Sequence, residues 1–277
     1  MRGTVKTLLW VWIILDSVAG SITLPEITDG KFIEECVNEH NKARSSVSPP
    51  ASDMLYMTWD EGLAITARAW AKRCVFDHNI FLKEPRRVHP TFPSVGENIW
   101  TGYPPSIFNV KSAITNWVDE KNDYDYVRNT CRQDAICGHY TQVVWARSYK
   151  VGCAVQLCPN GVRYFSSEDG AVFVCNYATA GNIAGSRPYE SKGAACSGCD
   201  DTCENNLCRS KERDSLKTYN WTPDWDTTAP TPTAPTPTTS LPGRYVTILI
   251  VRPLALFFTF ITAYAIKFKF PNVFCYE

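Results

Sequence analysis

Hydrophobic positions recur along this chain with two different periods, and each period marks out a different kind of element. Between Lys31 and Ser46 the residues Phe32, Ile33, Cys36 and Val37 fall at helical spacing, and the run stops before Pro49 and Pro50. From Asp60, the residues Leu63, Ala67, Trp70, Ala71 and Cys74 repeat that spacing and predict a second helix with one apolar face, with His78 just past its end. A third helix carries Ala113, Trp117 and Glu120 at i, i+4 and i+7, which puts a carboxylate on the face that buries an indole. Such a carboxylate is costly unless a cation, a metal or hydrogen-bond donors compensate it.

Other stretches are β-branched and aromatic. Gly138-His139-Tyr140-Thr141-Gln142-Val143-Val144-Trp145 reads as a buried strand that delivers His139 into a cleft. Its apolar residues fall on both parities, which predicts a sheet covered on both faces, a layer between helices. Lys150 to Leu157 and Ala171 to Tyr177 predict two more strands, joined antiparallel through the turn signals Pro159-Asn160-Gly161 and Asp169-Gly170. In Gly96-Glu97-Asn98 a second acidic residue follows a glycine that permits a tight turn.

The ends differ from this middle. Arg2 and Lys6 precede the apolar run Leu8 to Leu15, and Ser17, Ala19 and Gly20 follow, so residues 1–20 read as a cleaved signal peptide, too short to span a bilayer. Residues 24–190 are long enough for one globular domain. In the segment 191–210, Cys196, Cys199, Cys203 and Cys208 crowd into thirteen residues that cannot bury a core of their own. Zinc or two disulfides fit that spacing, and an oxidising lumen favours disulfides. Residues 211–243 form a Thr/Pro-rich stalk of extended, O-glycosylatable chain, with a single N-glycosylation sequon at Asn220-Trp221-Thr222. The segment 245–266 is apolar except for Arg252 and long enough for a single-pass type I span, followed by a short tail, 267–277, with Lys267 and Lys269. A GPI signal cleaved near Ser240 or Gly243 is the alternative.

Charge narrows the function. Twenty-eight basic and 28 acidic residues, with no long run of either, attract no nucleic acid. Neither His-Glu-x-x-His nor Gly-x-Ser-x-Gly occurs, so the sequence holds no zincin helix and no nucleophile elbow.

Gly138 to Ser148 resembles a signature of the CAP superfamily, which groups cysteine-rich secretory proteins, antigen 5 and pathogenesis-related protein 1; a second signature runs from Val172 to Tyr177 and ends in Gly181-Asn182-Ile183. The sequence departs from it at Thr179, where the family usually has proline. The resemblance covers about Leu24 to Cys208 and is strongest to the glioma pathogenesis-related branch. It implies an α+β fold, a single α-β-α sandwich CAP domain with a small disulfide-rich hinge. It also groups His78, Glu97, Glu120 and His139 as the residues lining a central cavity, with His78 and His139 as ligands for a divalent cation such as zinc. The implied bridges are Cys74–Cys158, Cys153–Cys175 and Cys131–Cys137, with Cys196–Cys203 and Cys199–Cys208 in the hinge. Val95 and Ala178 occupy positions that form a further bridge in cysteine-rich secretory proteins, and Cys36 is left over, as a buried thiol or an interchain link. The expected function is recognition of a protein, sterol or lipid partner by an extracellular, membrane-attached protein, on the sperm surface or in immune-type defence. The rival is a secretory-pathway hydrolase, with His78 or His139 as base oriented by Glu97 or Glu120 and no identified nucleophile.

Overall fold

The computed structural model describes residues 23–227 and six positions of a helix between 261 and 269. Helix α1 (Gly30–Ser45) opens at Asp29, whose side chain accepts the Lys31 and Phe32 amides, and closes with Lys42 and Arg44 in its last turn. Phe32 and Cys36 are buried along it. Helix α2 (Glu61–Ala71) opens at Asp60, which accepts the Leu63 amide, and nine of its eleven residues are buried, so it is enclosed on nearly every side. Cys74 is not part of its stripe: the helix ends at Ala71, and Cys74 lies beyond in a left-handed conformation with φ 49°. Helix α3 (Val110–Asp119) begins at Asn109, which accepts the Ser112 amide, and gives way at Glu120 to a tighter turn, Glu120–Asp123.

Strands β1 (Thr58–Trp59), β2 (Gly96–Gly102), β5 (Lys150–Cys158) and β6 (Gly170–Ala178) form one sheet in the order β1-β5-β6-β2. The β1/β5 pair is parallel; β5/β6 and β6/β2 are antiparallel. All nine residues of β6 are buried, so both faces of the sheet are covered. On one face Phe173 meets Phe32 of α1 and Trp117 of α3, while Tyr177 meets His40 of α1. On the other face α2 comes so close that a Cβ on Gly152 would sit 2.2 Å from the Ala64 nitrogen. The result is the α-β-α sandwich expected. Two small hairpins complete the strands: β3 (Tyr124–Asp125) with β4 (Thr130–Cys131), and β7 (Thr202–Glu204) with β8 (Leu207–Arg209).

The stretch expected to be a buried strand is instead helical: Gly138–Val143 forms α4. Strand preference expresses packing against a neighbouring strand, and here other contacts win. The Glu120 carboxylate accepts the His139 and Tyr140 amides at the start of α4. At its exit the fully buried Arg44 guanidinium donates to the carbonyls of Leu55, Val143, Trp145 and Ala146. The two-faced sheet predicted from these residues exists, but β5 and β6 provide it. Gly96 likewise makes no turn. It opens β2, and its missing side chain makes room for Gln142 of α4, whose Oε1 lies 2.1 Å from where a Cβ would stand.

Five disulfides hold the described chain: Cys74–Cys158, Cys131–Cys137, Cys153–Cys175, Cys196–Cys203 and Cys199–Cys208. The first closes a separation of 84 residues, worth about 4 to 5 kcal/mol in the chain-entropy model. Cys36 is free and buried, and burial raises its thiol pKa well above the ordinary value. The β7–β8 hinge joins the domain through Cys208, whose amide donates to Met54 and whose carbonyl accepts the Tyr56 amide.

Composition places residues 211–227 in an extended stalk; the structure folds them back onto the domain. Tyr219 donates its hydroxyl to Asp60 and its amide to Glu61, and Trp225 is buried. Tyr219, Trp221 and Trp225, which precede the Thr/Pro alternation, supply the apolar surface. Asn220 is exposed on this segment. The segment 1–20, read as a signal peptide, and the rest of the expected stalk lie outside the described residues, as do 245–266 and 267–277 apart from Ile261, Thr262, Tyr264, Ile266, Phe268 and Lys269. Among the described residues no helix is long and apolar enough to cross a membrane.

Candidate functional site

The four residues grouped by resemblance form two histidine–glutamate pairs. His78 follows α2, where the Trp70 indole holds the Asp77 carbonyl at 2.8 Å and the Asp77 side chain accepts the His78 amide at 2.8 Å. Its Nδ1 lies 3.0 Å from Glu97 Oε1 on β2. The same Oε1 accepts the Asn79 amide at 2.9 Å, and Oε2 accepts from Asn176 Nδ2 at 3.4 Å, Asn176 being the residue opposite Glu97 on β6. The Glu97 carboxylate is fully buried while the His78 ring is 62% exposed. The hydrogen bond from Glu97 raises the His78 pKa above its ordinary value.

The second pair is built from helix ends. Glu120, at the junction after α3, accepts from His139 Nδ1 at 2.5 Å, from the His139 amide at 2.9 Å and from the Tyr140 amide at 3.1 Å. The His139 ring lies parallel to the Trp117 indole, with centroids 6.3 Å apart, and is 26% exposed. Asn98 donates to the His139 carbonyl at 3.1 Å. Glu97 and Asn98 are consecutive on β2, so they leave it toward opposite faces; β2 is an edge strand, and the two pairs flank it.

The chemistry follows from which nitrogen is committed. An ionised carboxylate only accepts, so the neutral form of each histidine carries its proton on Nδ1, and Nε2 is the nitrogen left to take a ligand. Neither Nε2 has a protein partner among the described residues. This is the arrangement by which a carboxylate orients a metal-binding imidazole from behind, so each pair offers one imidazole donor with Glu97 or Glu120 as its orienter, but among the described residues no three of these four groups bring ligand atoms within 4.8 Å of one another. It is also the base half of a triad, but neither ring is hydrogen-bonded to a hydroxyl or thiol among the described residues. The sulfurs of Cys196, Cys199 and Cys208 also lie within 4.8 Å of one another, yet all three are in disulfides.

Several residues of the site were not found from sequence. Asn79 and Asn176 grip Glu97, Asn98 holds the His139 backbone, and Trp117 lies against its ring; buried Asn79 Nδ2 and Asn176 Oδ1 have no hydrogen-bond partner. A sequence signal existed only for Trp117, which the helical period groups with Glu120. The other two histidines are structural. His40 lies between the Cys36 carbonyl and the Tyr177 hydroxyl, and burial lowers its pKa to about 4. His89 meets Asp60 through Nε2 and accepts the Thr91 and Phe92 amides at Nδ1.

A sandwich carrying two such pairs defines a CAP domain, and residues 37–177 match the model of the cysteine-rich secretory protein family, to which this chain belongs. Its relatives include GLIPR1-like protein 1 of Bos taurus, 56% identical over 201 residues that cover 72% of this chain and 80% of the relative. Glioma pathogenesis-related protein 1 of Mus musculus is 46% identical over 256 residues, covering 91% and 89%. Among solved structures, NaASP2 with Zn2+ superimposes with a TM-score of 0.50 at 26% identity over 65% of this chain and 96% of that one. The chain is therefore a CAP protein of the glioma pathogenesis-related branch, whose family places it outside the cell.

Proposed function

We propose that this chain is a membrane-attached recognition protein of the cell surface whose two histidine–glutamate pairs take up a divalent cation, zinc first, through the Nε2 atoms of His78 and His139. The observation that carries the reading is the pair of imidazoles oriented at Nδ1 with Nε2 unengaged. The Zn2+ in the structure of its relative NaASP2 supports the choice of ion. The partner is a protein, sterol or lipid, and the setting is the sperm surface or immune-type defence. Calorimetric titration of the full chain with zinc tests the cation: binding should weaken as pH falls through the His78 value, which Glu97 raises above its ordinary one, and a His78→Ala, His139→Ala double variant that binds as tightly as the parent removes the site.

The oriented rings also support a second reading, hydrolysis with one of them as base. A screen against ester and peptide libraries separates the two. Turnover that disappears when the carboxylate behind a ring is removed, in Glu97→Ala or Glu120→Ala, favours the hydrolase, and saturable ligand binding without turnover favours recognition.

A further inference from the structure

Residues 213–227 contact the domain along one continuous track. Lys150 Nζ donates to the Ser215 carbonyl at 2.7 Å, and the Tyr219 hydroxyl donates to Asp60 at 2.8 Å. Further along, the Trp225 ring stacks on Phe81 with centroids 4.9 Å apart and planes 19° apart, and it meets Trp70 edge-on. The Trp225 indole nitrogen donates to the Arg87 carbonyl at 2.8 Å, Arg87 pairs with Asp224 at 3.0 Å, and the Arg73 guanidinium lies 5.5 Å over the indole. Stacked and cation–π contacts of this kind hold a segment in place more firmly than the Thr/Pro alternation that follows it suggests.

Phe81 ties this track to the candidate site. It belongs to the short turn Ile80–Lys83, which begins directly after His78 and Asn79. The Phe81 amide donates to Asn79 Oδ1 at 3.0 Å, and the Asn79 amide donates to Glu97 Oε1 at 2.9 Å, the atom that also receives His78 Nδ1. Stack and hydrogen bonds thus run unbroken from Trp225 to the carboxylate that orients the imidazole. Asn79 is only 2% exposed, and its side chain is held through Oδ1 alone, Nδ2 having no partner, so the position of the Phe81 turn bears directly on it.

We propose that residues 213–227 are a strap that positions the His78–Glu97 pair, with Trp225 as the positioning residue acting through Phe81 and Asn79. The consequence for cation uptake rests on the proposed function; the positioning itself does not. The His139–Glu120 pair touches none of these residues, so the strap acts on one pair alone.

The test is amide hydrogen exchange on the full chain and on Trp225→Ala, Trp225→Phe and Asp224→Ala. Trp225→Ala should speed exchange at Asn79 and Phe81 by about tenfold and Asp224→Ala, which loses only an exposed ion pair, by about twofold, both leaving His139 and Tyr140 unchanged, and Trp225→Phe should restore the slow rates by keeping a ring over Phe81. If Trp225→Ala does not fold, Asp224→Ala, whose side chain is exposed, carries the comparison. Unchanged rates at Asn79 and Phe81, or equal acceleration at His139 and Tyr140, overturn the proposal. Zinc titration supplies the second arm: Trp225→Ala should weaken affinity roughly threefold to tenfold and have no further effect in a His78→Ala background. Unchanged affinity overturns the coupling. A parent chain that takes up no zinc defeats the proposed function instead, and the exchange rates still decide on the strap.

Discussion

The two histidine–glutamate pairs make the same connection from different materials. In each, one carboxylate takes a ring Nδ1 and the amide of the residue after the histidine: Asn79 in the first pair, Tyr140 in the second. Glu97 sits on a strand with its carboxylate fully buried and a cross-strand amide as third donor, whereas Glu120 ends a helix and is 17% exposed, with the His139 amide as third donor. Ring exposure runs the other way, 62% for His78 against 26% for His139. The lesson is that orientation of an imidazole and access to it are set separately: the first pair hides its carboxylate and offers its ring, while the second keeps the ring against an indole.

Deleting the carboxylates should break the comparison most strongly. Glu97→Ala strands the buried Asn79 amide and should cost about 3 kcal/mol. Glu120→Ala leaves the first amides of α4 where water can replace the oxygen, and should cost about 1 to 2 kcal/mol. Urea denaturation of both variants checks the order, and a reversed order means burial of the carboxylate is not what distinguishes the pairs. Gly96→Ala comes next. It pushes Gln142 off a position fixed by the Gly181 amide and Ser148 and should cost about 2 kcal/mol, disturbing both pairs because Gly96 precedes Glu97 and Gln142 lies on the helix of His139.

Amide substitutions sharpen the contrast further. In Glu120→Gln the oxygen must stay with the two backbone amides, so the new NH2 faces His139 and forces its proton onto Nε2. Zinc affinity should then fall about tenfold, or about 1.4 kcal/mol, with a tautomer change visible in nitrogen NMR. Glu97→Gln can keep its oxygen at the His78 and Asn79 side, while its NH2 meets Asn176 Nδ2, also a donor, so Asn176 must turn its amide and give up its bond to Gly96; with the His78 side preserved, zinc affinity should change by less than about threefold. Similar losses in the two variants would refute this account of the tautomers.

The smallest effect concerns pH. Glu97 raises the His78 pKa, so without metal this ion pair adds stability fully present below the unfolded value near 6.5 and lost as pH rises through the raised value. The ring is mostly exposed, so the contribution should stay below about 1 kcal/mol. Thermal unfolding of the parent and His78→Ala between pH 5 and 8 should show the difference shrinking as pH rises; a difference that grows has the wrong sign for this pair. Cation binding runs oppositely, since protons compete for the same ring.

How much of this was readable before the structure depends on where each constraint originates. Helices α1, α2 and α3 announce themselves because one face of each meets a core; the i, i+4, i+7 relation held for buried Ala113 and Trp117, whereas Glu120 lies just past the helix end and is only partly buried. Strands β5 and β6 showed in their β-branched runs and turn signals. Helix α4 did not, because Glu120 and Arg44, far away in sequence, fix both its ends. Grouping the four site residues needed the family resemblance; local spacing alone leaves His78 and His139 as unrelated histidines. Asn176 joins the site only through strand register, and the ordered strap was masked because it runs directly into the Thr/Pro alternation that follows it.

Arg44 carries a consequence for how the domain assembles. Its guanidinium is fully buried, meets carbonyls and no carboxylate in direct contact, and burial lowers its pKa to about 9. Those carbonyls belong to the segment before β1 and to the exit of α4, separated from it by about 11 residues on one side and 99 to 102 on the other. A half-assembled domain that docks α1 without the 143–146 segment would bury a charge with donors unanswered, a state penalised by several kcal/mol. The cation therefore works as a checkpoint on assembly: it disfavours partial structures and lets the compact state close only when distant parts of the chain arrive together.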